Sequence, residues 1–260
     1  MKAERIYLYE NNENVYLDIY LCNMEEMSIL ERPLILICPG GAYSYCSPRE
    51  AEPIARSYMA RGYHAAVLNY SVKKNTECLY DAEKDVTKPH FEVAKSICII
   101  RDNAKNWSVS PDKIAVIGFS AGGHLAACAS ILFNDEKLLK ALGCEVGYNK
   151  PNASLLCYPV ITTGEYAHKG SIENLLGEYA TEENLTRYSL EKSVTKNTPP
   201  TFLVHATRDP GVPAMNSIDL ASAFFKAGVN FELHIIPVAM HGFSTAQREV
   251  LPHHNPYITR

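Results

Sequence analysis

The chain has 260 residues, 47% of them hydrophobic, enough for one large domain with a substantial core. Its formal net charge is −4, from 25 Lys and Arg against 29 Asp and Glu, and the basic residues form no stripe. A nucleic-acid partner is therefore not expected, and no apolar run reaches the length of a membrane-spanning helix.

The start, MKAERIYLYE, holds no apolar segment of signal-peptide length. The eight cysteines include no C-x-x-C pair and none at zinc-ligand spacing with histidine, and several fall inside apolar patterns, where a thiol behaves as a small hydrophobe. A reduced, soluble, cytoplasmic protein with no membrane partner and no metal is the expectation.

In chain order, Ile6–Tyr9 and the alternating run Val15–Leu21 predict an antiparallel hairpin across the turn-rich ENNEN. PLILIC, residues 33–38, is a continuous apolar run suited to a strand covered on both faces. A helix is predicted around 49–61 and a strand over HAAVLNY, 64–70. Phe91, Ala94, Ile97, Cys98 and Ala104 recur at helical spacing from about 90 to 106, and SPDK then breaks the helix before a strand at 113–117. A small-residue helix follows Ser120. Strands are predicted at 153–160, 201–206 and 231–238, the last two separated by a helix at about 214–227 that ends at Gly228. Residues 161–200 carry a helical pattern and form a small cover rather than a separate domain. Strands alternating with helices predict a single α/β domain over 1–260, with a mostly parallel central sheet, helices on both faces and an antiparallel N-terminal edge.

The stretch VIGFSAGGH, 116–124, places Ser120 on a sharp strand-to-helix turn. Gly118, Ser120 and Gly122 fit G-x-S-x-G, a turn too tight for flanking side chains larger than hydrogen. A serine hydroxyl needs a base to take its proton, and the base needs a partner that fixes its tautomer. In an α/β sheet these should follow later strands in the order Ser, Asp, His. Asp209, in RDPGVP, and His241, in MHGF, do so. The oxyanion formed in acyl transfer needs preorganised N–H donors. CPGGAY, 38–43, offers Gly41 and Ala42 directly after a strand, and Ala121 adds a third N–H at a helix start.

His124 is the rival base, but its helix leaves the elbow away from the serine side chain. His205 ends a strand near Asp209 and reads as a structural hydrogen-bonder close to the site. His64 and His234 fall in strands, and His253 and His254 are tail residues.

The set CPGGAY, GFSAGGHLAA, RDPGVP and MHGF resembles the α/β-hydrolase superfamily, from about residue 15 to 250. Within it, the chain resembles the bacterial esterase/lipase branch that includes acetyl-xylan-esterase-like carbohydrate deacetylases. Related hormone-sensitive-lipase-like esterases carry H-G-G-G where this chain has Pro39-Gly40-Gly41-Ala42, so Ala42 stands in place of a glycine. Met240, before His241, either narrows the acyl pocket or packs.

The resemblance implies an α/β-hydrolase fold and a serine carboxylic-ester hydrolase working through an acyl-enzyme, without metal or organic cofactor. It implies a short acyl group, acetyl foremost, on a sugar or xylo-oligosaccharide. With no leader, that substrate would be a small imported oligosaccharide. A peptidase of the same fold and a catalytically silent ligand-binding homologue are the rivals. The resemblance puts the loop of Tyr43 beside the substrate, where Tyr43 either contacts substrate or packs; Tyr158, ending a strand on the presumed active face, either lines the pocket or is a core-edge tyrosine.

Overall fold

The computed structural model describes residues 2–25 and 29–244; His253 and His254 lie outside them. The N-terminal hairpin is present as β1 (Lys2–Tyr9) and β2 (Asn12–Leu21), paired from Lys2↔Leu21 to Tyr9↔Asn12. Its turn is tighter than ENNEN suggests, because Asn12 already pairs. The other strands of the main sheet are β3 (Arg32–Cys38), β4 (His64–Asn69), β7 (Val109–Phe119), β8 (Ala153–Cys157), β9 (Thr201–Ala206) and β10 (Phe231–Ile236). The short pair β5 (Tyr80–Asp81) and β6 (Val86–Thr87) forms a separate ribbon.

The main sheet has the order β1-β2-β4-β3-β7-β8-β9-β10. From β4 to β10 every pairing is parallel, while β1–β2 and β2–β4 are antiparallel. The parallel part is what the uninterrupted apolar runs predict, since both faces are covered. Along β3, Leu34, Leu36 and Cys38 enter one core, and Ile35 and Ile37 enter the other. The first core is closed by α2 (Lys88–Asp102), α4 (Ala121–Ile131) and α8 (Met215–Ala227); the second takes Ile54 and Ala55 of α1 (Glu52–Met59).

Two differences from the sequence reading have local causes. SPDK does not end the ordered structure before a strand at 113. α2 gives way to the single turn α3 (Ala104–Trp107), and β7 begins at Val109. Pairing jumps from Arg32↔Val109 to Leu34↔Ile114, so a bulge absorbs Pro111, which has no N–H to give a ladder. The helix α5 (Glu136–Leu142), capped by Asp135 Oδ1 on Leu138 N–H at 3.0 Å, was not anticipated. The stretch 161–200 holds α6 (Lys169–Leu176) and α7 (Glu182–Arg187), short helices in keeping with its pattern.

Parallel strands send their C-terminal loops to one edge of the sheet. β3 and β7 are neighbours, with Cys38 opposite Gly118, so the CPGGAY loop and the Ser120 turn leave side by side. Asp209 follows β9 and His241 follows β10 on the same edge.

Candidate active site

Ser120 joins β7 to α4 with φ 54° and ψ −118°, a conformation that costs a non-glycine residue energy. The glycines around it make the turn feasible. A Cβ on Gly118 would overlap the Gly122 carbonyl, and one on Gly122 would overlap the carbonyls of Cys38 and Pro39. All eleven residues of α4 are buried; its Ala, Gly and Cys side chains let the helix sit close on the sheet.

The three residues separated along the chain meet. His241 Nδ1 lies 2.7 Å from Asp209 Oδ2, and His241 Nε2 lies 2.8 Å from Ser120 Oγ. An ionised Asp209 fixes the hydrogen on Nδ1, which leaves Nε2 to accept the Ser120 hydroxyl proton. Asp209 is itself held in place: Oδ1 accepts the N–H groups of Gly211 and Val212, each at 2.8 Å. Burial alone would raise its pKa. Hydrogen bonds from His205, His241 and Val212 outweigh that and hold the carboxyl well below its ordinary range. His205 is buried; Nε2 donates to Val212 O at 2.9 Å and approaches Asp209 Oδ2 at 3.5 Å, and Nδ1 meets Ser217 Oγ at 2.8 Å. It is the structural hydrogen-bonder near the site that its position suggested.

Among the described residues, no protein acceptor meets the N–H of Gly41, Ala42 or Ala121. Their directions are nevertheless fixed. In a trans peptide the N–H points opposite the preceding carbonyl, so pinning that carbonyl aims the N–H. Gly40 O accepts Ser47 N–H at 2.9 Å, which aims Gly41 N–H. Gly41 O accepts Ser44 N–H at 2.8 Å and Tyr45 N–H at 3.3 Å, which aims Ala42 N–H. Ser120 O accepts the N–H groups of His124 and Val160, both at 3.1 Å, which aims Ala121 N–H. Ala42 reaches its place with φ 54°, in the left-handed region, despite carrying a Cβ. Asn174 of α6 donates to Ala42 O at 2.9 Å, tying the cover to this loop.

His124 is excluded as the base by its bonds. Its ring is buried; Nε2 donates to Tyr188 O at 3.0 Å and Nδ1 accepts Tyr43 O–H at 2.9 Å. Burial lowers its pKa to about 4, so it is neutral and occupied on both sides.

Two candidates for substrate contact are corrected. Tyr43 is 1% exposed, packs against Tyr70 and spends its hydroxyl on His124; the left-handed turn at 42–43 directs it inward. Tyr158 is fully buried and its hydroxyl is engaged by Glu50 and Ser244. Its ring stands edge-on to His241, with centroids 5.1 Å apart, so it supports the imidazole from behind. Met240 packs against the second core.

Sequence reasoning did not single out Asn174, Asn216 or His168. Buried Asn216 accepts the N–H groups of Ile161 and Thr162 and donates to Tyr166 O, anchoring the start of the cover to α8. His168, half-buried at the start of α6, has its pKa lowered by burial and then by the nearby His241. A single polar residue in or beside a helix leaves no mark on the apolar periodicity that would single it out beforehand. Among the described residues, no group of three His, Cys, Asp or Glu side chains could hold a metal ion.

The BD-FAE family model matches residues 17–224. The chain belongs to the BD-FAE family of α/β hydrolases. It is 33% identical over 220 residues to endo-1,4-beta-xylanase B of Butyrivibrio fibrisolvens, covering 85% of this chain and 34% of that protein. It is 33% identical over 211 residues to the acetylxylan esterase of Xylanibacter ruminicola, covering 79% and 40% respectively. The chain thus spans less than half the length of either. Among solved structures, the acetyl ester-xyloside bifunctional hydrolase from Caldicellulosiruptor lactoaceticus superposes with a TM-score of 0.79 at 34% identity. That match covers 94% of this chain and 89% of the other. The α/β-hydrolase fold expected from the four motifs is the fold of this family.

Proposed function

We propose that this chain is a serine carboxylic-ester hydrolase that removes acetyl groups from xylo-oligosaccharides. The observation that carries the reading is the continuous relay Asp209–His241–Ser120, at 2.7 and 2.8 Å, beside three aimed backbone N–H groups. Ser120 Oγ attacks the ester carbonyl carbon as His241 Nε2 takes its proton. The carbonyl oxygen becomes an oxyanion held by the N–H groups of Gly41, Ala42 and Ala121. The tetrahedral intermediate collapses, the C–O bond to the sugar breaks, and His241 returns the proton to the departing alcohol. Water, deprotonated by His241, then attacks the acyl-enzyme and releases acetate and Ser120. Asp209 stays ionised throughout and stabilises the imidazolium.

The substrate half rests on relatives named for acetylxylan and for acetyl ester-xylosides. A cytoplasmic location belongs to the same proposal; eight cysteines, all free, support it. The test is turnover of acetylated xylobiose and of 4-nitrophenyl esters of increasing chain length, by the parent and by Ser120→Ala. Acetate release by the parent alone, falling as the acyl chain lengthens, is expected. Equal activity in both proteins removes the mechanism, and a preference for long acyl chains removes the substrate assignment.

A further inference from the structure

We propose that Glu50 and Tyr158 are positioning residues, a buried clamp that holds the oxyanion loop and the His241 loop in one geometry. The inference rests on the ester-hydrolase reading and adds a role to two residues that touch no reacting atom.

Glu50 is 3% exposed, and a buried carboxylate requires partners. Its partners come from the site. Oε2 accepts Gly40 N–H at 2.9 Å, at the root of the oxyanion loop, and Oε1 accepts Tyr158 O–H at 2.7 Å. A Cβ on Gly40 would sit 2.7 Å from Glu50 Oε2, so only glycine allows the carboxylate this close. Tyr158 Oη in turn accepts Ser244 N–H at 2.8 Å. Burial, and then the Glu50 charge, push the phenol well above its ordinary pKa, so it remains a donor to Glu50. The ring packs edge-on against His241 and, with centroids 4.5 Å apart, against Phe243. Arg49 completes the grip: Nη1 donates to Gly242 O at 3.2 Å, and its carbonyl accepts Ser244 O–H at 3.3 Å. The chain just after His241 is thus tied to residues 49, 50 and 158.

The sheet alone does not do this. β3 and β10 are four strand spacings apart, roughly 19 Å, and both loops lie beyond the ladder that orders their strands. Glu50 is bonded to one loop directly and to the other through Tyr158. Tyr158 also has φ 39°, an unfavourable value for an aromatic residue, which its buried bonds maintain.

Glu92 supplies the control. It is also a fully buried carboxylate, bonded to Ser71 N–H, Ser71 O–H and Tyr9 O–H, and none of these belongs to the site. Glu50→Gln, Tyr158→Phe and Glu92→Gln are compared in the full chain for turnover of 4-nitrophenyl acetate and for affinity toward phenylboronic acid. This reagent forms a tetrahedral adduct on the serine and reads the transition-state geometry. Each clamp variant is expected to lose about tenfold in kcat, with KM nearly unchanged and boronate affinity falling in parallel. Glu92→Gln is expected to lose thermal stability while keeping kcat and boronate affinity. Should Glu50→Gln not fold, Tyr158→Phe decides alone. The clamp is refuted if a folded clamp variant keeps parental kcat and boronate affinity, or if Glu92→Gln loses as much kcat. Failure of the hydrolase reading appears separately, as no turnover and no fluorophosphonate labelling in the unsubstituted chain, and it removes the clamp's role with it.

Discussion

His124 and His241 are the rival bases for Ser120 in the sequence reading, and pH-dependent unfolding read together with activity tells their roles apart. His124 is buried and neutral, with its pKa lowered from 6.5 to about 4 by burial. The unfolded chain binds a proton at this residue below pH 6.5 and the folded chain does not, so stability from this group is complete above 6.5 and is lost as pH falls toward 4. The slope is about 1.4 kcal/mol per pH unit, hence about 2 kcal/mol between pH 6.5 and pH 5. His90, buried and lowered to about 3 for the same reason, adds a loss of about the same size over that interval. Glu92 works against them, because burial raises its pKa and the folded state gains protons first. That opposing contribution is common to parent and variant and cancels in their difference. Urea unfolding of the parent and of His124→Gln at pH 7.5 and pH 5 should therefore show a pH-dependent loss about 2 kcal/mol smaller in the variant. At pH 7.5 the variant should keep kcat within about tenfold, whereas His241→Gln should lose about ten-thousandfold. Identical pH dependence in parent and variant, or equal loss of activity in His124→Gln and His241→Gln, would refute the assignment.

Ser120→Ala should lower kcat/KM by about ten-thousandfold and abolish fluorophosphonate labelling, checked by mass spectrometry of the intact chain. Asn174→Leu removes the bond to Ala42 O and should lower kcat severalfold while unfolding free energy drops by about 1 kcal/mol. Ala42→Gly relieves a left-handed alanine but loosens the unfolded chain, so denaturation should place it within about 1 kcal/mol of the parent. Gly122→Ala drives a methyl into the carbonyls of Cys38 and Pro39 and should cost about 3 kcal/mol or more, read as a lower melting temperature and lost turnover.

The parts legible in the sequence are those with local physical signatures. Apolar runs such as PLILIC and KIAVIGF give the parallel strands, because burial on both faces leaves no room for alternation. Gly118 and Gly122 announce the elbow, because the turn excludes a Cβ. Asp209 and His241 were found by their place after successive strands, a topological argument that needs only strand order. Tyr43 and Tyr158, candidates for substrate contact that pack instead, could not be told apart from core residues for one reason. Nothing in a one-dimensional pattern tells whether a side chain at a strand end turns toward the cleft or the core, and both have positive φ, which reverses the usual direction. Glu50 was visible only as a charge beside Arg49; its role depends on residues 108 and 194 positions further along.

Backbone strain and the clamp have a common logic. Seven described non-glycine residues have positive φ, and five of them, Ala42, Tyr43, Ser120, Tyr158 and Ser244, surround the site. At roughly 1–2 kcal/mol each, they store an amount comparable to the net stability of a whole domain. Strain of that size persists only where other contacts over-determine the conformation. Those contacts are the bonds traced above: Tyr43 to His124, Ser120 O to Val160, Tyr158 to Glu50 and Ser244 to Tyr158. Ser120 carries a reacting group, Ala42 offers an N–H next to it in the proposed mechanism, and Tyr158 and Ser244 brace the chain around His241, while Tyr43 ties its loop to buried His124. Cutting one such bond lets a loop fall toward an ordinary conformation while the eight-stranded sheet beneath keeps its ladder. In this protein, activity is therefore expected to fail at the clamp before the fold does.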